Sequence, residues 1–109
     1  MNRVFDSSFA REVLSAAVPV LVTFVSDDCA PCRSVLSLIE QLARDATGLK
    51  YVTIDVAHNP ESRAIYNIHG LPTLAVFAGG EIVARRVGSP PDASDLSEWV
   101  AAAIERGSR

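Results

Sequence analysis

The stretch DDCAPC, residues 27–32, holds both cysteines of the chain, Cys29 and Cys32, with Ala30 and Pro31 between them. Two thiols at this spacing serve two chemistries. They exchange with disulfides through a thiolate, or they supply part of a four-ligand metal site. A bridge across two residues closes too small a loop to stabilise a fold much, so a purely structural disulfide is the weaker reading. Asp27 and Asp28 stand directly before the first sulfur. Negative neighbours disfavour a thiolate, so whatever activates Cys29 must act against them.

The surrounding elements decide where the sulfurs sit. VLVTFV, residues 20–25, is a nearly continuous β-branched and apolar run, as in a strand buried on both faces. After Cys32, the residues Val35, Leu36, Ile39, Leu42 and Ala43 recur at helical spacing, and Gly48 suits the stop. The cysteines therefore fall at a strand-to-helix junction. Cys29 lies at the helix N-terminus, where unpaired N–H groups and the helix dipole favour a negative sulfur. Cys32 lies in the first turn and is the more buried. The exposed thiolate attacks a target disulfide and the second thiol resolves the mixed disulfide. Pro31 lacks an N–H, which is harmless in a first helical turn.

The remaining chain reads as further α/β units. DSSFAREVLSAA predicts a helix with Phe9, Val13, Leu14 and Ala17 on one face, Asp6 or Ser7 as N-cap and Pro19 as terminator. KYVTIDV, residues 50–56, is a second strand, and NPESRAIYNI starts a helix with Asn59 as cap and Pro60 in the first turn. TLAVF, residues 73–77, is a third strand; Gly79-Gly80 turns it into EIVARRV as a hairpin. Pro90-Pro91 connects to a last helix with Asp95 and Glu98 as a capping box and Leu96, Trp99, Val100, Ala103 and Ile104 as apolar face, Trp99 serving the core. Residues 2–5 are compatible with an edge strand but too short to assign. The order αβαβαββα predicts a three-layer α/β/α sandwich around a central mixed sheet, in one domain spanning residues 1–109.

Composition narrows the partners. The 109 residues carry a formal net charge of -3 with 49% hydrophobic and 21% charged residues. Nucleic acid is not the expected partner, because phosphate binding needs a basic face. Arg85-Arg86 and the tail residues Arg106 and Arg109 read as solvated surface. No apolar run reaches membrane-spanning length and no signal-peptide core is present, so a cytoplasmic location without membrane attachment is expected.

CAPC after a buried strand, GLPT at 70–73, FAGGE at 77–81 and RVGS at 86–89 occur in the order in which they resemble the thioredoxin family, over about Phe9 to Ile104. The resemblance implies a thioredoxin fold and a thiol-disulfide oxidoreductase that reduces protein disulfides, with Cys29 as nucleophile and Cys32 as resolving thiol. It implies a cis peptide at Pro72. Leu71 would pair its backbone with an extended substrate, and Gly70, Val87 and Gly88 would line the same groove with Ala30 and Pro72. It also implies protein disulfides as substrates, a thioredoxin reductase as electron donor, a monomer, and no cofactor or metal beyond the Cys29–Cys32 disulfide.

The chain departs from the family at several positions. Asp28 takes the place of a tryptophan, Val25 that of an aromatic, Ala30 that of a glycine and Ser37 that of a helix-kinking proline, so the active-site helix should run straighter. Thr23 and Thr53 replace a buried aspartate and its lysine partner. Their joint loss is energetically consistent, since one buried charge without the other is costly. It also removes the family's proton acceptor, because a threonine hydroxyl is no base near neutral pH; Asp27 or Asp28 could reach in instead.

Two alternatives stay open from the residues. Zinc would need Cys29, Cys32, His58 and His69, and His58 is expected at the far side of the fold. A dedicated interaction or chaperone module with little redox turnover would use the same groove. The intact cysteine pair argues for the enzyme. Asp27 and Asp28 disfavour the thiolate and so favour the disulfide, which predicts a reductase rather than an oxidant.

Overall fold

The structure is a computed structural model that describes residues 2–108. Its strands are β1 (Asn2–Arg3), β2 (Val20–Val25), β3 (Lys50–Asp55), β4 (Thr73–Ala78) and β5 (Glu81–Val87). Its α-helices are α1 (Ala30–Asp45), α2 (Pro60–Ile65) and α3 (Ala93–Gly107). The strands form one mixed sheet in the order β1-β3-β2-β4-β5. β1, β3 and β2 run parallel, and β4 and β5 are antiparallel to their neighbours.

Burial explains the apolar strands. β2 is central, and Val20 to Phe24 are all buried. Alternation sends Val20, Val22 and Phe24 to one face with Val52, Ile54, Ala75 and Phe77. There they meet Phe9, Val13 and Ile68, and Tyr66 stacks among Phe9, Phe24 and Phe77 with ring centroids 5.2, 6.3 and 5.4 Å away. Leu21, Leu74 and Val76 face the other way, against Val35, Ile39 and Leu42 of α1 and Leu96, Val100 and Ala103 of α3. Each fully buried side chain of this kind contributes about 1.5–3 kcal/mol. The sheet is thus covered on both faces, the three-layer sandwich that the strand pattern predicts.

The departures from the sequence reading have identifiable causes. Residues 2–5 do supply an edge strand: Asn2 pairs with Val52 and Arg3 with Thr53, and the N–H of Val4 donates to Thr53 O at 2.8 Å. The first predicted helix is instead a π-helical turn over Ala10–Leu14, with Ser15 N donating to Ala10 O at 2.9 Å. Lys50 takes part in this distortion. Its Nζ binds Glu12 O at 2.8 Å, and Ala16 N donates to Val13 O rather than to Glu12.

Asp6 does not cap that turn. Its carboxylate accepts from the backbone of Ser62 at 2.8 Å and of Glu61 at 3.1 Å, and so caps α2 from 56 residues away. Asn59, expected to cap α2, makes no side-chain cap bond. Its amide links Asp6 N and Asp55 O, both at 2.8 Å. Similarly α3 begins at Ala93, and Asp92 is its cap, accepting from Asp95 N at 2.8 Å, in place of the predicted Asp95–Glu98 box. Trp99 packs against the core between the sheet, α1 and α3 as expected, though half-buried, and the Arg86 guanidinium lies 5.5 Å over its ring. α1 is continuous through Ser37, whose hydroxyl donates to Arg33 O at 3.5 Å. Arg109, counted with Arg106 in the basic tail, lies outside the described residues.

Candidate active site

Cys29 is the N-cap of α1, with Ala30, Pro31 and Cys32 as its first three residues. Helix N-termini leave N–H groups without intrahelical partners, and a side-chain acceptor at the N-cap satisfies one of them. Here the acceptor is sulfur: Cys32 N donates to Cys29 Sγ at 3.1 Å. The same N–H also lies 3.2 Å from Cys29 O, and Pro31 has no N–H to satisfy. The two sulfurs are joined as a disulfide, with Cα atoms 5.2 Å apart. A thiolate at Cys29 would face the same N–H and the positive end of a 16-residue helix.

The two cysteines differ in exposure as the strand-to-helix junction requires. Cys29 is half-buried, whereas Cys32 is 2% exposed beneath the first turn. Ala30 and Pro31 are exposed beside Cys29, as are Asp27 and Asp28. Asp28 accepts a long hydrogen bond from Ser26 Oγ at 3.4 Å and forms no ion pair among the described residues.

Strand register brings further loops to the same end of the sheet. Phe24 pairs with Thr73, so Leu71 and Pro72 leave β4 where β2 runs out toward Cys29. The Leu71–Pro72 peptide is cis. Thr73 also pairs with Val87, and Gly88 N donates to Pro72 O at 2.8 Å. Thr73 Oγ1 donates to Gly70 O at 2.6 Å. A Cβ on Gly70 would lie 2.7 Å from Val87 Cγ1, so only glycine allows this closeness without displacing Val87. Gly70, Leu71, Pro72, Val87 and Gly88 thus form one bonded unit, with Val87 60% exposed on its rim.

Arg85 was not legible as part of this unit. Its guanidinium donates to Tyr66 O and, at 2.7 Å, to Asn67 O. Asn67 has a left-handed backbone, with φ 53°. The arginine thus fastens the turn from which residues 68–72 depart. Arg86 has the opposite fate, binding Asp95 at 3.2 Å. The pair read as solvated surface is split by strand alternation between two anchoring contacts, and no residue spacing signals which carbonyls Arg85 meets.

His58 is also corrected. Val56 N donates to Val25 O at 2.9 Å, so the loop carrying His58 leaves the sheet at the cysteine end, not at the far side. Its Nδ1 lies 3.3 Å from Asp55 Oδ2. Among the described residues, no three His, Cys, Asp or Glu side chains gather as metal ligands.

Thr23 and Thr53 are register partners on β2 and β3. Thr53 is half-buried. Thr23 is 0% exposed, and its Oγ1 is the one buried side-chain oxygen or nitrogen among the described residues without a hydrogen-bond partner.

Comparison with known proteins agrees with this arrangement. The sequence profile described as "Thioredoxin" matches residues 1–102. The chain is 37% identical over 106 residues to a thioredoxin of Rhodospirillum rubrum, covering 95% of this chain and 100% of that one. It is 40% identical over 90 residues to thioredoxin 1 of a Nostoc species, covering 82% and 84%. It is 40% identical over 97 residues to a thioredoxin of Mycobacterium tuberculosis, covering 88% and 84%. A cysteine pair at a helix N-terminus, at the same end of the sheet as a cis-proline loop, together with the match to these relatives, places the chain in the thioredoxin family, as a thiol-disulfide oxidoreductase of the disulfide-reducing type.

Proposed function

We propose that Cys29 is the attacking thiol and Cys32 the resolving thiol in the reduction of protein disulfides. The observation that carries this assignment is the asymmetry of the pair: Cys29 is accessible and receives the Cys32 N–H at 3.1 Å, whereas Cys32 is buried. Cys29 as thiolate attacks one sulfur of the target disulfide, and the other target sulfur leaves as a thiolate that takes a proton. Cys32 then loses its proton and attacks Cys29 Sγ. The Cys29–Cys32 disulfide forms, and the second target sulfur departs as thiol. Two electrons and two protons pass to the target.

Gly70, Leu71, Pro72, Val87 and Gly88 are the proposed docking unit, with Leu71 offering backbone hydrogen bonds to an extended segment. Asp28, Ala30, Pro31, Thr23 and Thr53 tune the pair. A thioredoxin reductase restores the dithiol, and the protein works as a monomer in the cytoplasm without a cofactor beyond its disulfide. The absence, among the described residues, of a helix able to cross a membrane is compatible with that location.

Insulin reduction driven by dithiothreitol or by a thioredoxin reductase tests the reading. Wild type should accelerate insulin precipitation, and Cys29→Ser should not. A wild type that forms its disulfide normally but shows no turnover would establish the interaction-module alternative instead.

A further inference from the structure

Thr23 lies on the face of β2 that α1 covers. Its neighbour of the same parity, Leu21, packs with Val35 and Ile39, and its cross-strand partner Leu74 belongs to the same cluster. Thr23 is two residues nearer the cysteines than Leu21, a displacement of about 6.6 Å along the strand. α1 descends from Cys29 over the same face, and Cys32 is its first buried residue, one turn above Val35. Thr23 therefore lies under the first turn of α1, at the level of Cys32. Its hydroxyl is fully buried and unpartnered while the cysteines are joined. A buried hydroxyl without a partner is destabilising, and valine would fill the same space without that cost. A disulfide sulfur is a poor acceptor, whereas a thiolate sulfur is a charged one.

We infer that the Thr23 hydroxyl is a redox-linked hydrogen-bond donor to Cys32, made when the disulfide opens and lost when it closes. The inference rests on the reading of Cys32 as the resolving thiol. During resolution the Cys32 S–H bond breaks and Thr23 O–H donates to the resulting thiolate. Cys32 Sγ bonds to Cys29 Sγ as the Cys29–target S–S bond breaks. The expelled target thiolate takes up a proton through solvent in exchange for the one Cys32 released. Thr23 is not a base. It donates weakly to the Cys32 thiol sulfur in the dithiol, which shifts the dithiol–disulfide equilibrium toward the dithiol, and strongly to the anion that must form in a buried place during resolution.

Thr23→Val keeps the shape and removes the hydroxyl; Thr23→Ser keeps the hydroxyl and removes a methyl. Equilibration against glutathione, with acid trapping, measures the dithiol–disulfide ratio without any protein substrate. Thr23→Val should favour the disulfide about fivefold more than wild type, a potential lower by about 20 mV. It should also slow single-turnover resolution of a Cys29 mixed disulfide severalfold. Thr23→Ser should stay within about twofold of wild type in both. An unchanged ratio in Thr23→Val, or a shift in Thr23→Ser as large as in Thr23→Val, overturns the inference. Failure of the reductase reading shows separately, as absent insulin turnover by wild type.

Discussion

The backbone N–H of Cys32 donates to Cys29 Sγ at 3.1 Å, so the second cysteine's main chain serves the first cysteine's sulfur. The side chain of Cys32 can then be exchanged without removing this donor. Cys32→Ser should accumulate a stable mixed disulfide through Cys29 with a disulfide-containing target, visible by non-reducing electrophoresis and mass spectrometry. Cys29→Ser should trap none. Equal trapping by both variants would reverse the assignment of roles.

Asp28 is exposed one residue from Cys29 and has no cationic partner among the described residues. Its charge opposes the thiolate that the helix N-terminus favours. Near a protein surface one such interaction is about 1 kcal/mol or less after screening. Asp28→Asn should therefore shift the glutathione equilibrium toward the dithiol by up to about fivefold, and the shift should shrink in 1 M salt. A salt-independent shift would assign the effect to packing instead.

Asp6 joins the N-terminal arm to α2. Partial burial pushes its carboxyl up, but hydrogen bonds from the Ser62 side chain and from the Ser62 and Glu61 backbones outweigh this and hold it below the usual aspartate range. A carboxyl lowered by folding stabilises above its unfolded value, near pH 4, and that contribution disappears as pH falls through the folded value. Asp6→Ala should cost about 1 kcal/mol in urea unfolding at pH 7. The cost should diminish below about pH 4. A difference that is constant down to pH 2 would show that the charge plays no part.

Gly70 has no room for a side chain against Val87. Gly70→Ala should raise KM for a protein disulfide severalfold with little change in kcat, because the rim moves while the cysteines stay in place. Adding Val87→Ala should recover part of the loss. No recovery in the double variant would place the defect in the loop backbone.

Arg85 holds Tyr66 O and Asn67 O, and with them the turn that leads to Pro72. Arg85→Ala should speed amide hydrogen exchange in residues 66–71 and raise KM, with the glutathione equilibrium within about twofold of wild type on the ground that the cysteines are untouched. Unchanged exchange in that segment would make the arginine dispensable.

Local pattern carried much of this protein. Nearly continuous apolar runs specify β2 and β4, because a strand covered on both faces has no polar side to alternate. Helical spacing after Cys32 and the Gly79-Gly80 turn position α1 and the hairpin, and the order of the elements implies the covered sheet. The cysteine pair at the strand-to-helix junction was legible for the same reason: its placement needs only the two elements that flank it.

Relations between distant segments were decided by the tertiary structure. Asp6 is an ordinary N-cap candidate by sequence, yet the nearby turn and α2 compete for it, and α2 obtains it across 56 residues. Lys50 withdraws Glu12 O from a local helix by the same kind of competition. Arg85 and Arg86 are alike in sequence, but strand alternation sends them to different carbonyl and carboxylate partners. Thr23 stands where the family resemblance puts a buried aspartate, but that its hydroxyl is buried without a partner is a result of packing. Residue types and short spacings determine which elements form and which sulfur caps a helix. Which donor meets which acceptor between elements depends on packing, since hydrogen bonds act over about 3 Å and the chain brings those atoms together only when both faces of the sheet are closed.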